Sequence, residues 1–153
     1  MDVSGRTYPQ LALDLQLCFP LYAATRAVTK RYVTLLKGTG LTYPQYLVML
    51  VLWEGDEPST VTSLGQRLRL DSGTLTPLLK RLETAGLVRR DRDPGDERRV
   101  LVSLTDDGRA LEEQVSGVPL QLGESMGITH AEALALRDQL TDLVDHLDTA
   151  ESP

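Results

Sequence analysis

The sequence predicts a mainly α-helical chain carrying one small β-hairpin, and three observations predict it. Apolar residues recur in threes and fours along several stretches, the spacing of a single buried helix face. Two short helical segments, 62–68 and 74–85, are separated only by the run RLDSG at 69–73. Two strand-like, arginine-bearing runs then flank the turn-forming DPGDE at 93–97.

Each element has its own justification. From Leu11 to about Lys37 the pattern is helical, with Pro20 inside it. A proline within a helix costs roughly 3 kcal/mol, so this helix either bends at Pro20 or starts later. Gly38 and Gly40 end it. Thr42, Pro44 and Gln45 supply a cap, an early proline and a glutamine at the capping-box spacing, opening a helix to about Trp53. Residues 54–58 form a turn. Thr62 to Leu68 has room for about two helical turns. After the break, Thr74 to Ala85 resumes helix and Gly86 closes it. Leu75, Leu78, Leu79 and Leu82 fall on one side of that helix, while Gly73, Thr76, Pro77, Lys80 and Arg81 fall on the other. Residues 87–92 and 99–104 read as the strands of a hairpin. A helix-turn-helix followed at once by a basic hairpin is a winged helix-turn-helix.

The last third is helical again. Thr105 caps a helix to about Val115, and residues 116–119 with Gly123 and Gly127 interrupt it. Thr129 and Glu132 then make a capping box for a helix to about Leu147. Its stripe of Ala133, Leu136, Leu140, Leu143 and Leu147, with the first helix at the other end of the chain, reads as a dimer interface. The expected organisation is one domain, 1–153. Dimerisation helices at 11–38 and 106–148 surround a DNA-binding region at 42–104.

Composition narrows the function. The chain has 153 residues, 41% hydrophobic and 25% charged, as suits one compact domain. One cysteine excludes an internal disulfide, the first ten residues show no apolar leader, and no apolar run is long enough to cross a bilayer. The expectation is a cytoplasmic protein. The net charge is −6, but residues 67–99 carry nine basic against six acidic side chains, and residues 105–153 carry two against eleven. An acidic end thus keeps the protein soluble while a basic segment meets phosphate. His130 and His146 lie far apart among carboxylates, with no spacing for a zinc site, and no cofactor is expected. Tyr43, Tyr46 and Trp53 read as helix core, the two tyrosines alternatively as the lining of a pocket at the dimer interface.

The residues expected at DNA follow from that distribution. Ser72, Gly73 and Thr74 are small enough to let the second helix enter the major groove. Thr76 suits a thymine methyl, and Lys80 and Arg81 suit phosphates or guanine edges. At the hairpin, Arg98 and Arg99 suit the negative potential of a narrow minor groove, with Asp96 placed to hold the Arg98 guanidinium.

Four runs carry a family resemblance: LQLCF from Leu15 with Leu21 and Tyr22, LTYPQYL from Leu41, LDSGTLTPLLKR from Leu70, and DERRVLVSLT from Asp96. Together they resemble the MarR family of dimeric bacterial repressors, and within it the OhrR branch of organic-hydroperoxide sensors. The resemblance implies a homodimer on palindromic double-stranded operator DNA, repressing until an N-terminal cysteine is oxidised. It implies that Cys18 is that sensor, and that Tyr22 and Tyr32 hold its sulfur. The second, C-terminal cysteine of one class of these regulators is absent, which implies the one-cysteine type.

Helix geometry adds a condition. Tyr22 lies one turn beyond Cys18, whereas Tyr32 lies ~21 Å along the axis, so Tyr32 meets a Cys18 only across a two-fold interface. Only a thiolate attacks a peroxide bond; hydroxyl donors favour that anion and apolar neighbours oppose it. The sulfenic acid so formed must pass to a mixed disulfide with a low-molecular-weight thiol, to a sulfenamide, or to overoxidation. Two other readings use the same residues. One is a repressor released by a non-covalent small aromatic ligand, which leaves Cys18 idle. The other is a thiol peroxidase, which leaves the basic wing unexplained.

Overall fold

The computed structural model describes residues 7–150. The first six residues of the stretch expected to lack a leader, and the last three of the domain expected to run to 153, lie outside the described residues. The chain divides into two compact units between Ser116 and Gly117.

In the first unit, two short 3-10 turns, Pro9–Leu11 and Leu13–Leu15, precede α1 at Cys18–Leu35. The helix expected from Leu11 therefore starts seven residues later. Pro20 falls in its first turn, where a backbone N–H has no partner within the helix, so the proline removes nothing and no bend is required. Helix α2, Tyr43–Trp53, opens with the capping box of Thr42 and Gln45, which also satisfies the buried Gln45 side chain.

A two-residue strand β1, Ser59–Thr60, leads into α3, Val61–Leu68, whose cap is Thr60. Helix α4 covers Ser72–Thr84 and begins two residues earlier than expected, because the Asp71 carboxylate accepts the Thr74 N–H at 2.8 Å. Between the two helices Arg69 adopts the left-handed conformation at φ 53°. Gly65 is required there as well, since a Cβ on it would stand 2.7 Å from the Leu70 carbonyl oxygen.

Strands β2, Val88–Asp93, and β3, Asp96–Leu104, form a tighter hairpin than expected, with only Pro94 and Gly95 between them. The Asp93 carboxylate accepts the Gly95 N–H at 2.9 Å, which stabilises the short turn and draws both strands into the DPGDE run. β3 is central: β2 pairs with one edge and β1 with the other, both antiparallel. Helix α5, Asp106–Val115, is capped by Thr105.

Leu64, Leu75, Leu79, Leu82, Val88 and Val102 are sealed in the core, as are Tyr46, Val48 and Met49 of α2. Burying each such aliphatic side chain contributes about 1.5–3 kcal/mol. All four leucines of the α4 stripe are buried, so the opposite face must point outward.

The second unit contains α6, Val118–Met126, and α7, His130–Ala150. The expected interruption after Val115 is present at Ser116 and Gly117 and again at Gly127, but α6 lies between and runs through Gly123. Pro119 lies in the first turn, where proline is tolerated, and Gly127 at φ 66° ends the helix instead of breaking it. α7 starts from the Thr129–Glu132 capping box. It has no buried residue, and Leu136, Leu140 and Leu147 of its apolar stripe are exposed.

Candidate nucleic-acid interface and cysteine site

Ser72, Gly73, Thr74, Thr76, Lys80 and Arg81 are all exposed along α4, opposite its buried leucines. Asp71, missed in the sequence, organises the front of this face. It caps the helix and also accepts the Thr74 hydroxyl at 3.2 Å, so that hydroxyl is engaged within the chain. The Thr74 N–H, then the Thr74 hydroxyl, hold the Asp71 carboxyl below its usual range. Farther along, Lys80 and Arg81 form no ion pair among the described residues.

The wing is laced by ion pairs. The Asp96 carboxylate accepts the Arg98 N–H at 3.1 Å and its guanidinium at 3.2 and 3.4 Å. That guanidinium, more than the nearby charge of Arg99, holds Asp96 below its ordinary value. Arg99 faces Asp93 at 3.6 Å. Arg90 grips Glu83 of α4 at 3.0 and 2.6 Å, and the same carboxylate accepts the Arg90 N–H. Arg90 also holds the Glu83 carboxyl low. This pair ties the end of α4 to the wing. Thr76, Arg98 and Arg99 line one open cleft, whereas Ser72 and Gly73 sit at the start of α4.

Cys18 is exposed in the first turn of α1. Tyr22, one turn on, is 60% exposed; Arg26 lies over its ring at 5.6 Å and donates to its hydroxyl at 3.4 Å. Around them Leu13, Leu15, Leu17 and Phe19 are also exposed. Tyr32 is elsewhere. Near the far end of α1 it is 8% exposed, stacked on Tyr43 at 4.0 Å and tilted against Tyr46 at 5.5 Å. The structure does not bring Tyr32 to the sulfur of its own chain. Burial first, then the neighbouring Tyr43 and Tyr46, push the Tyr32 phenol up to about 12. Burial raises Tyr43 too. Both phenols therefore keep their protons, and remain hydrogen-bond donors, throughout the neutral range. Tyr43 is tied to Tyr32 through this stack, a contact between helices that sequence spacing does not display.

A small-residue helix face beside a basic hairpin, with an exposed thiol on a separate helix, defines a winged-helix transcriptional regulator. The chain belongs to the MarR-like regulators, its residues 30–115 matching the family described as transcriptional regulator SarA/Rot. It is 52% identical over 96% of its length to the HTH-type transcriptional regulator TtmR of Methylorubrum extorquens, covering 74% of that protein. It is 45% identical over 93% of its length to the organic hydroperoxide resistance transcriptional regulator of Bacillus subtilis, covering 94% of it. Among solved structures, AbfR of Staphylococcus epidermidis aligns with a TM-score of 0.74 and 40% identity, over 92% of this chain and 96% of that one. Reduced AbfR bound to DNA aligns with a TM-score of 0.76 and 39% identity, over 93% and 99%. Among the described residues no helix is long and apolar enough to cross a membrane.

Proposed function

We propose that this chain is a dimeric repressor that binds double-stranded operator DNA and releases it when an organic hydroperoxide oxidises Cys18. The observation that carries this reading is an exposed thiol set among apolar side chains, on a chain whose other end of business is a winged helix. The likeness to a regulator of organic hydroperoxide resistance supports it, as does the likeness to a regulator solved on DNA.

The chemistry is a two-electron transfer at sulfur. The Cys18 thiolate attacks one oxygen of the hydroperoxide, the O–O bond breaks, and the alcohol leaves after taking up a proton. Sulfur is oxidised to a sulfenic acid and the hydroperoxide is reduced. Leu17, Phe19 and Tyr22 give an apolar surface that favours an organic tail over hydrogen peroxide. The Tyr22 hydroxyl, one turn along α1, and the protonated phenols of Tyr32 and Tyr43, supplied from the second subunit, stabilise the thiolate. A low-molecular-weight thiol then condenses with the sulfenic acid, releasing water and leaving a mixed disulfide. The added bulk lies where the subunits meet and changes the separation of the two recognition helices.

The test is a titration of operator binding with an organic hydroperoxide, in the parent and in Cys18→Ser. The parent releases DNA at about one equivalent per subunit while Cys18→Ser stays bound. A variant that releases DNA like the parent overturns the reading.

A further inference from the structure

Between α3, α4 and the wing lies an open cleft of about 290 Å³. Thr60, Thr62 and Thr76 stand on its helical side, and Arg90, Arg98 and Arg99 on its wing side. Each of the three guanidiniums faces a carboxylate, Arg90 the most tightly. Arg90 gives Nε and Nη2 to Glu83, Arg98 gives Nε and Nη2 to Asp96, and Arg99 reaches Asp93 through Nη1. Glu83 and Asp96 each occupy one edge of a five-donor fork and Asp93 stands near one corner of the third, so further N–H groups on every arginine are left to bind an oxyanion.

The position of the cleft identifies that oxyanion. A duplex read by α4 in the major groove and by the wing in the adjacent minor groove has one sugar–phosphate strand dividing the two grooves. That strand must run between the two protein elements, where the cleft opens. We infer that the cleft seats a backbone phosphodiester of this strand, held by the outer edges of Arg98 and Arg99 and by the hydroxyls of Thr62 and Thr76. Arg90, pinned by Glu83, backs the site from within.

The inference rests on the DNA-binding reading and deepens it. It adds Thr62 and Arg90 to the interface and gives Thr76 a phosphate oxygen instead of a thymine methyl. Because three arginines face three carboxylates, the site carries no excess charge. It holds a phosphate that the rest of the interface delivers, and captures free anions poorly.

The experiment uses the full chain and a duplex that it selects from a random-sequence pool, with affinity read by fluorescence anisotropy. A single methylphosphonate, which replaces a charged oxygen by methyl, is walked along each strand. One linkage per half-site is expected to weaken the parent on the order of tenfold. The same linkage should cost Thr62→Val and Arg99→Gln far less, because their contact is already gone. Circular dichroism checks that both variants are folded. If every linkage costs the variants as much as the parent, the phosphate site is overturned while DNA binding stands. If no duplex is selected, DNA binding fails and the phosphate site with it. If inorganic phosphate displaces the duplex from the parent more than chloride of equal ionic strength does, and not from the variants, the cleft is a free-anion site and the inference is also overturned.

Discussion

Tyr32 has two assignments that one substitution separates. Its ring is packing, stacked on Tyr43 and leaning on Tyr46; its hydroxyl is the proposed donor to a thiolate across the two-fold axis. Tyr32→Phe keeps the ring and removes the hydroxyl. Stability should change by about 1 kcal/mol or less, the net worth of one hydrogen bond. The loss of the Cys18 thiol under cumene hydroperoxide should slow about tenfold, the cost of one missing donor, followed as thiol remaining against time. Unchanged kinetics would return Tyr32 to the core and nothing more. The high pKa of this phenol gives the experiment a wide window, because the donor keeps its proton until strongly alkaline pH.

Elements meet in this fold at a few crowded joints, and Gly108 is the tightest. A Cβ there would stand 2.0 Å from the Leu87 carbonyl oxygen, while the Gly108 carbonyl accepts the Trp53 indole N–H at 2.9 Å. Gly108→Ala should therefore cost about 1–3 kcal/mol or more, the usual penalty of overpacking, seen as a lower midpoint in urea. The wing joint responds to acid instead. Glu83 and Asp96 are held below their ordinary values of 4.5 and 3.8 by Arg90 and Arg98. A carboxylate with a depressed folded pKa stabilises above its unfolded value, and that contribution is lost as pH falls through the folded one. Thermal stability should thus be flat in these groups from about pH 8 to about pH 5 and decline only below, with Glu83→Gln flattening the acid limb. A step near neutrality that depends on Glu83 would contradict the assignment.

The same joints mark what the sequence displays and what it hides. The recognition face was legible because Leu75, Leu78, Leu79 and Leu82 leave only one side of α4 to solvent. β1 was not, since two residues show no alternation and exist as strand only by pairing Ser59 with Val102 and Thr60 with Leu101. Pro20, read as either bending its helix or delaying its start, does the second, and Pro119, read as part of an interruption, stands in the first turn of α6. A proline's effect depends on its distance from a helix start that spacing fixes poorly. Glu83 and Arg90 belong to different elements, so no helical or strand period links them.

For the whole molecule, the exposed leucines of α7 and the apolar residues around Cys18 raise the question of a second copy. We propose that terminal helices of two subunits cover one another. Leu140→Glu, at an exposed position whose change leaves the core of one chain intact, should yield a folded monomer by sedimentation. Operator affinity should fall about a hundredfold, since two half-sites bound independently lose the gain of linkage. A variant that stays dimeric would move the interface elsewhere. The third strand of the sheet bears on what happens at derepression. With β1 hydrogen-bonded to β3, and Arg90 clamped to Glu83, the hairpin is built into its helices rather than hung from them. Such a head is a stiff gauge, and a stiff gauge fails by mismatch rather than by softening: oxidised protein should still fit a duplex whose two halves are respaced to suit it.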